Sequence, residues 1–148
     1  MIRIEYPSHP FRMREEEGKE LIFDELRKLW VRLTPEEWVR QNILQYILQN
    51  MSYPAALIAV EKELKLGDLT KRFDILVYNR QHKPWLMIEC KSMETPITDE
   101  TVYQILRYNL SIPVRYLVVT NGSASYFFER GGTGMNGISG MPEWEQEP

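Results

Sequence analysis

The 148 residues carry 21 acidic and 18 basic side chains, a net charge of −3, with 43% hydrophobic and 26% charged residues. This is the balance of a soluble globular chain, long enough to bury about 68–70% of its unfolded surface in one domain. It argues against a protein that coats nucleic acid by bulk positive charge, and no apolar run approaches the ~18 residues of a membrane span.

The first twenty residues, MIRIEYPSHPFRMREEEGKE, lack an apolar h-region, so no signal peptide is expected. Cys90 is the single cysteine. It rules out an internal disulfide and fits a reducing, cytoplasmic location. With two histidines, it leaves no Cys/His metal cluster.

In chain order, residues 1–18 read as a polar arm with at most a short strand. Residues 19–33, KELIFDELRKLWVRL, fit either a helical face or two short strands around an Asp-containing turn, and the hairpin is favoured. Thr34, Pro35 and Glu37 then form a helix start with a capping box. Val39, Ile43, Leu44, Ile47 and Leu48 supply its apolar face, and it should end near Met51.

A strand begins at Leu57–Val60 and extends through Leu64. Gly67-Asp68 reads as a turn, Arg72–Tyr78 as a strand, Asn79–Lys83 as a turn and Pro84–Cys90 as a third strand. Short connections make these an antiparallel meander. Thr98 caps a second helix running to about Asn109. Tyr116–Thr120 is a buried-type strand, Asn121-Gly122 a turn and Ala124–Glu129 a last strand, with Tyr126, Phe127 and Phe128 packing on both faces. From Gly131 the chain reads as a mobile tail. The order implies an α/β or α+β domain, a mixed β-sheet flanked by helices.

Three charges flank the most apolar runs: Asp74 opens Ile75–Tyr78, and Glu89 and Lys91 close Trp85–Ile88. Glu89 and Lys91 are two apart and share a face. Asp74 lies on the neighbouring strand, so the three can converge. Two carboxylates suit a hard cation such as Mg²⁺, which also takes waters and phosphate oxygens. An adjacent lysine can orient a water or stabilise developing negative charge. The competing explanation is a structural salt bridge at a sheet edge.

Asp74 with Glu89-Cys90-Lys91 resembles the PD-(D/E)XK nuclease signature, with Phe73 where proline is usual. The ordered series TPEEWVRQNILQYI, LIAVEKEL, RFDILVY, KPWLMIECKS, QILRYN and YLVVTNG resembles the N-terminal domain of type I restriction enzyme R subunits over most of residues 34–122. The resemblance implies a restriction-endonuclease-like core over 34–130, preceded by the arm and possible hairpin (1–33) and followed by the tail (131–148). It implies metal-dependent hydrolysis of DNA with Mg²⁺, or Mn²⁺ in its place. Asp74 and Glu89 would be metal ligands and Lys91 the catalytic lysine.

Gln104 and Tyr108 share a helix face and look like the QxxxY motif that helps position nucleic acid in this superfamily. An ordinary amphipathic helix boundary is the alternative. Many members draw a further acidic residue from the first helix. Glu36 falls on its inward face with Arg40, and is preferred to Glu37, which is read as the cap. Glu61 and Glu63 are read as a solvated face, Cys90 as a core residue, and Lys71, Arg72, Arg80 and Lys83 as either phosphate contacts or solubilising charges. His9 and His82 receive no role.

No GxxxxGK[ST] phosphate loop occurs, so an ATP-driven motor is not expected within these residues. The chain would act alone or with restriction-modification subunits. A nucleic-acid-binding or protein-interaction module with weak or lost catalysis is the competing function.

Overall fold

The computed structural model of the chain describes residues 4, 6–109 and 112–144. The hairpin reading of residues 19–33 is borne out. Strands β1 (Met13–Glu16), β2 (Lys19–Asp24) and β3 (Leu29–Arg32) make a three-stranded antiparallel sheet. The turn is built on Asp24, whose Oδ1 accepts the backbone N–H groups of Leu26 and Arg27 at 2.9 and 2.8 Å. Such Asx contacts give the backbone an alternative to helix.

Helix α1 (Pro35–Gln45) starts where the cap chemistry places it: Thr34 Oγ1 accepts from the Glu37 backbone N–H at 3.0 Å. A π turn, Tyr46–Asn50, carries the helical path to the residue before Met51. Val39, Ile43, Leu44 and Ile47 are buried, as the apolar period requires.

The main sheet has six strands in sequence order: β4 (Ile58–Leu66), β5 (Leu69–Tyr78), β6 (Pro84–Cys90), β7 (Tyr116–Thr120), β8 (Ser125–Gly131) and β9 (Gly134–Ile138). The expected meander is β4–β5–β6, antiparallel throughout. Only β6 and β7 run parallel, and helix α2 (Asp99–Tyr108) lies in the connection between them. Thr98 Oγ1 caps α2 by accepting from Thr101 N–H.

Each face of this sheet has its own core. Val39 and Ile43 of α1 and Ile47 of the π turn cluster with Ile75, Val77, Leu86, Ile88, Cys90, Val118 and Phe127. On the other face Phe73, Leu76, Met87, Leu117 and Val119 cluster with Ile112 and Val114, and Ile105 and Leu106 of α2 pack against them. Burying each such large aliphatic side chain stabilises by about 1.5–3 kcal/mol. With helices on both faces, β6 is buried along its length, which explains its unbroken apolar run.

Strict alternation would place Phe73 with Ile75 and Val77. It sits instead in the opposite cluster with Leu76. The strand therefore departs from its regular pleat around Asp74.

One expectation is corrected. Residues after 130 do not begin a mobile tail: β8 continues to Gly131, and β9 pairs with it antiparallel. Glycine-rich composition concealed a hairpin whose Gly132 has φ +59°, a conformation glycine adopts at no steric cost. The chain then packs back on the fold. Tyr53 Oη donates to the Pro142 carbonyl, and Trp144 Nε1 to the Tyr78 carbonyl at 3.3 Å. Residues 145–148 of that expected tail lie outside the described residues. Among the described residues no helix is long and apolar enough to cross a membrane.

Candidate active site

A cleft of about 300 Å³ opens where α1 meets the middle of β5 and the end of β6. Its lining includes Glu36, Arg40, Glu61, Asp74, Glu89 and Lys91. Asp74, Glu89 and Lys91 thus do share one space, together with Glu36, although Asp74 lies in mid-strand and not at the strand end expected from the sequence. The β4–β5–β6 meander brings Asp74 and Glu89 to adjacent strands. Lys91 is fixed just past β6, where its backbone N–H donates to the Thr120 carbonyl at 2.8 Å and extends the parallel pairing with β7. Cys90 turns the other way, into the α1-side core, as expected.

Asp74 is held at both oxygens. Oδ2 accepts the Cys90 backbone N–H at 2.8 Å, and Oδ1 accepts from Arg40 Nη2 at 3.2 Å. Arg40 has a side chain only 7% exposed, and its Nη1 also reaches Glu61 Oε1 at 2.6 Å and Glu37 Oε1 at 3.2 Å. Burial works against its charge. The hydrogen bond to Glu61 and the Glu37 and Asp74 carboxylates outweigh that cost, holding its pKa above the ordinary value.

The remaining acids are crowded. Burial first, then the nearby Asp74 charge, pushes Glu89 up to about 7. The same two causes raise Glu36, in the same order. Burial makes both ionised forms costly, and the neighbouring carboxylates add to that cost, a part that a cation would relieve. Among the described residues no group of three Asp, Glu, His or Cys side chains is placed to hold an ion.

A second cleft, about 430 Å³, adjoins the first through the shared residues Arg72, Glu89 and Lys91. Gln104 and Tyr108 line it from α2. The helical spacing of these two residues therefore does bring them beside Glu89 and Lys91. Tyr108 is 65% exposed.

Several residues sit differently from their sequence reading. Glu37 gives its backbone N–H to the Thr34 cap, but its carboxylate is turned inward: it is buried, accepts from Gln41 Nε2 at 2.9 Å and faces Arg40 at 3.2 Å. Lys71 is no phosphate contact. It is 3% exposed, and its Nζ donates to the Tyr108 carbonyl at 2.5 Å and to Asn109 Oδ1 at 3.2 Å. It pins the C-terminal turn of α2, where a cation is electrostatically favoured. Glu61 is not simply solvated, since Arg40, Arg72 and Arg27 surround it at 2.6, 3.0 and 3.6 Å. Its position was available in the sequence: counting back from the Gly67-Asp68 turn sets Glu61 opposite Asp74.

A search of curated proteins returns no match. The family model for the type I restriction enzyme R protein N terminus (HSDR_N) matches residues 35–142, a span that includes all six strands of the main sheet up to β9 and every residue of both clefts. On this match, and with the mixed sheet and helices that carry the clefts, the chain belongs to the family of type I restriction enzyme R protein N-terminal domains.

Proposed function

We propose that this chain hydrolyses DNA phosphodiester bonds at a metal-dependent PD-(D/E)XK-type site, alone or with restriction-modification subunits. The observation that carries the reading is the convergence of Asp74, Glu89 and Lys91 in one cleft, joined by Glu36 from α1.

The donor set suits a hard divalent cation. It offers carboxylate oxygens and no imidazole, the thiol of Cys90 being buried in the core, and the proximity of the carboxylates favours a positive charge. Asp74 and Glu89 would hold Mg²⁺ or Mn²⁺, with waters and phosphate oxygens as the other ligands. When bound, such an ion supplies Lewis acidity toward the phosphoryl group and acidifies a water.

The chain's own residues do the rest. The Cys90 N–H and Arg40 orient the Asp74 carboxylate on a rigid sheet. Lys91 positions the attacking water or stabilises negative charge developing on the phosphate. Glu36 adds acidic character at the rim. Gln104 and Tyr108 hold the nucleic-acid strand along the adjoining cleft, leading it to Glu89 and Lys91. Cleavage leaves a 5′-phosphate.

The test is single-turnover cleavage of end-labelled duplex and single-stranded DNA, in Mg²⁺ and in EDTA, by wild type and Asp74→Asn. The proposal requires cleavage by wild type in Mg²⁺ alone, reduced at least about a hundredfold by the substitution. DNA binding without any cleavage, undiminished by EDTA, would favour a binding module instead.

A further inference from the structure

Glu61 stands across the β4–β5 ladder from Asp74. Val60 pairs with Ile75 and Lys62 with Phe73, but the ladder lapses at the step between them. There Glu61 has φ +53°, a left-handed conformation in mid-strand. A residue other than glycine persists in that region only where its surroundings over-determine it. Here the surroundings are guanidinium groups: Arg40 at 2.6 Å, Arg72 at 3.0 Å and Arg27 at 3.6 Å.

Arg40 spans three carboxylates. Nη1 meets Glu61 at 2.6 Å and Glu37 at 3.2 Å, and Nη2 meets Asp74. A lone Arg40–Asp74 pair would neutralise Asp74 and repel any cation entering the cleft. Further carboxylates on the same guanidinium remove that conflict, and Glu61 is the nearer of the two. Resting on the reading of the cleft as a cation site, we propose that Glu61 is a positioning residue. Together with Glu37 it offsets the charge of Arg40, so that Arg40 can orient Asp74 without opposing a divalent cation bound there.

A purely structural Glu61 would only tie β4 to α1, and its loss would lower stability alone. The counter-ion role adds an effect on metal affinity that should reverse when Arg40 is also neutralised. The experiment is calorimetric titration of the metal-free full chain with Mn²⁺, with a thermal melt of each variant. Glu61→Gln should weaken Mn²⁺ binding by at least about tenfold, because the Arg40 charge beside Asp74 is then less completely offset. Glu61→Gly, which suits the positive φ, should show the same loss and keeps the test alive if the glutamine variant misfolds. The double variant Arg40→Gln/Glu61→Gln should regain most of the lost affinity.

Unchanged Mn²⁺ affinity in both Glu61 variants, or a double variant that binds no better than Glu61→Gln alone, would overturn the inference while leaving the site reading intact. Wild type that binds no Mn²⁺, or binds it no better than Asp74→Asn, would overturn both.

Discussion

The backbone N–H of Cys90 donates to Oδ2 of Asp74 at 2.8 Å, so the central residue of the ECK stretch fixes the carboxylate of the neighbouring strand. This contact depends on the backbone of β6 and not on the cysteine side chain. It follows that Cys90→Ala should leave the Asp74 geometry in place and cost only core packing. Asp74→Ala, by contrast, removes the acceptor for both Cys90 N–H and Arg40. Stranding a partly buried donor costs about 1–3 kcal/mol, whereas Asp74→Asn keeps an oxygen acceptor. Chemical denaturation of the two Asp74 variants should therefore rank alanine below asparagine. Equal stability would mean that these bonds contribute little.

Stability should respond to pH through Glu89. Its folded pKa of about 7 lies above the ordinary 4.5, so the folded state keeps a proton that the unfolded state releases. The penalty for ionising Glu89 is absent below about pH 4.5, and stability falls as pH rises from there through 7. A shift of this size is worth on the order of 3 kcal/mol. Urea melts in EDTA should thus show Glu89→Gln gaining on wild type between pH 5 and pH 8. A difference that does not grow over that interval would contradict the burial and crowding inferred for Glu89.

Metal should oppose that same penalty. Mn²⁺ at a hundred times its dissociation constant stabilises a single-site protein by about 2.7 kcal/mol. Protons compete for Glu89, so the stabilisation by a fixed Mn²⁺ concentration should be larger at pH 8 than at pH 6. Thermal melts with and without Mn²⁺ at the two pH values provide the check. Equal shifts at both would place the ion elsewhere.

Tyr108 bears on binding and, more weakly, on folding. Its side chain is 65% exposed, its ring covers Lys71 Nζ at 3.0 Å from the centroid, and its carbonyl accepts from the same ammonium. Tyr108→Ala keeps the backbone bond but removes the ring from the ammonium, a contact worth about 0.5–2 kcal/mol, so a modest fall in melting temperature is expected. Loss of one stacking platform, worth about 1–3 kcal/mol per base, should weaken single-stranded DNA binding roughly five- to a hundredfold. Lys71→Ala should do the reverse, with stability dropping first, because the α2 carbonyl and Asn109 lose a buried partner. Fluorescence anisotropy beside a melt of each variant distinguishes them.

Much of the fold was legible because short-range chemistry agreed with long-range pattern. Thr34 and Thr98 capped the helices, Gly67-Asp68 set the β4–β5 register, and the apolar runs of β6 and β7 announced a sheet covered on both sides. The cleft was legible for the same reason: two-residue spacing fixes Glu89 and Lys91 to one face, and the hairpin register supplies Asp74. The strand after Gly131 was hidden, since glycine marks turns and loops more often than strands. Lys71 was illegible for a different reason. A buried lysine is recognised only by its partners, Tyr108 and Asn109, which lie on another element. Glu61 fell between the two cases, with its register readable and its guanidinium neighbours not.

The proposed activity, cutting of DNA in this cleft through Lys91 and its carboxylate partners, is tested by nicking of supercoiled plasmid in Mn²⁺ or Mg²⁺ with wild type and Lys91→Ala, matched for purity and melting temperature. Metal-dependent nicking by wild type that is lost in Lys91→Ala is expected. Equal nicking by both, or none by wild type under any divalent metal, would contradict it.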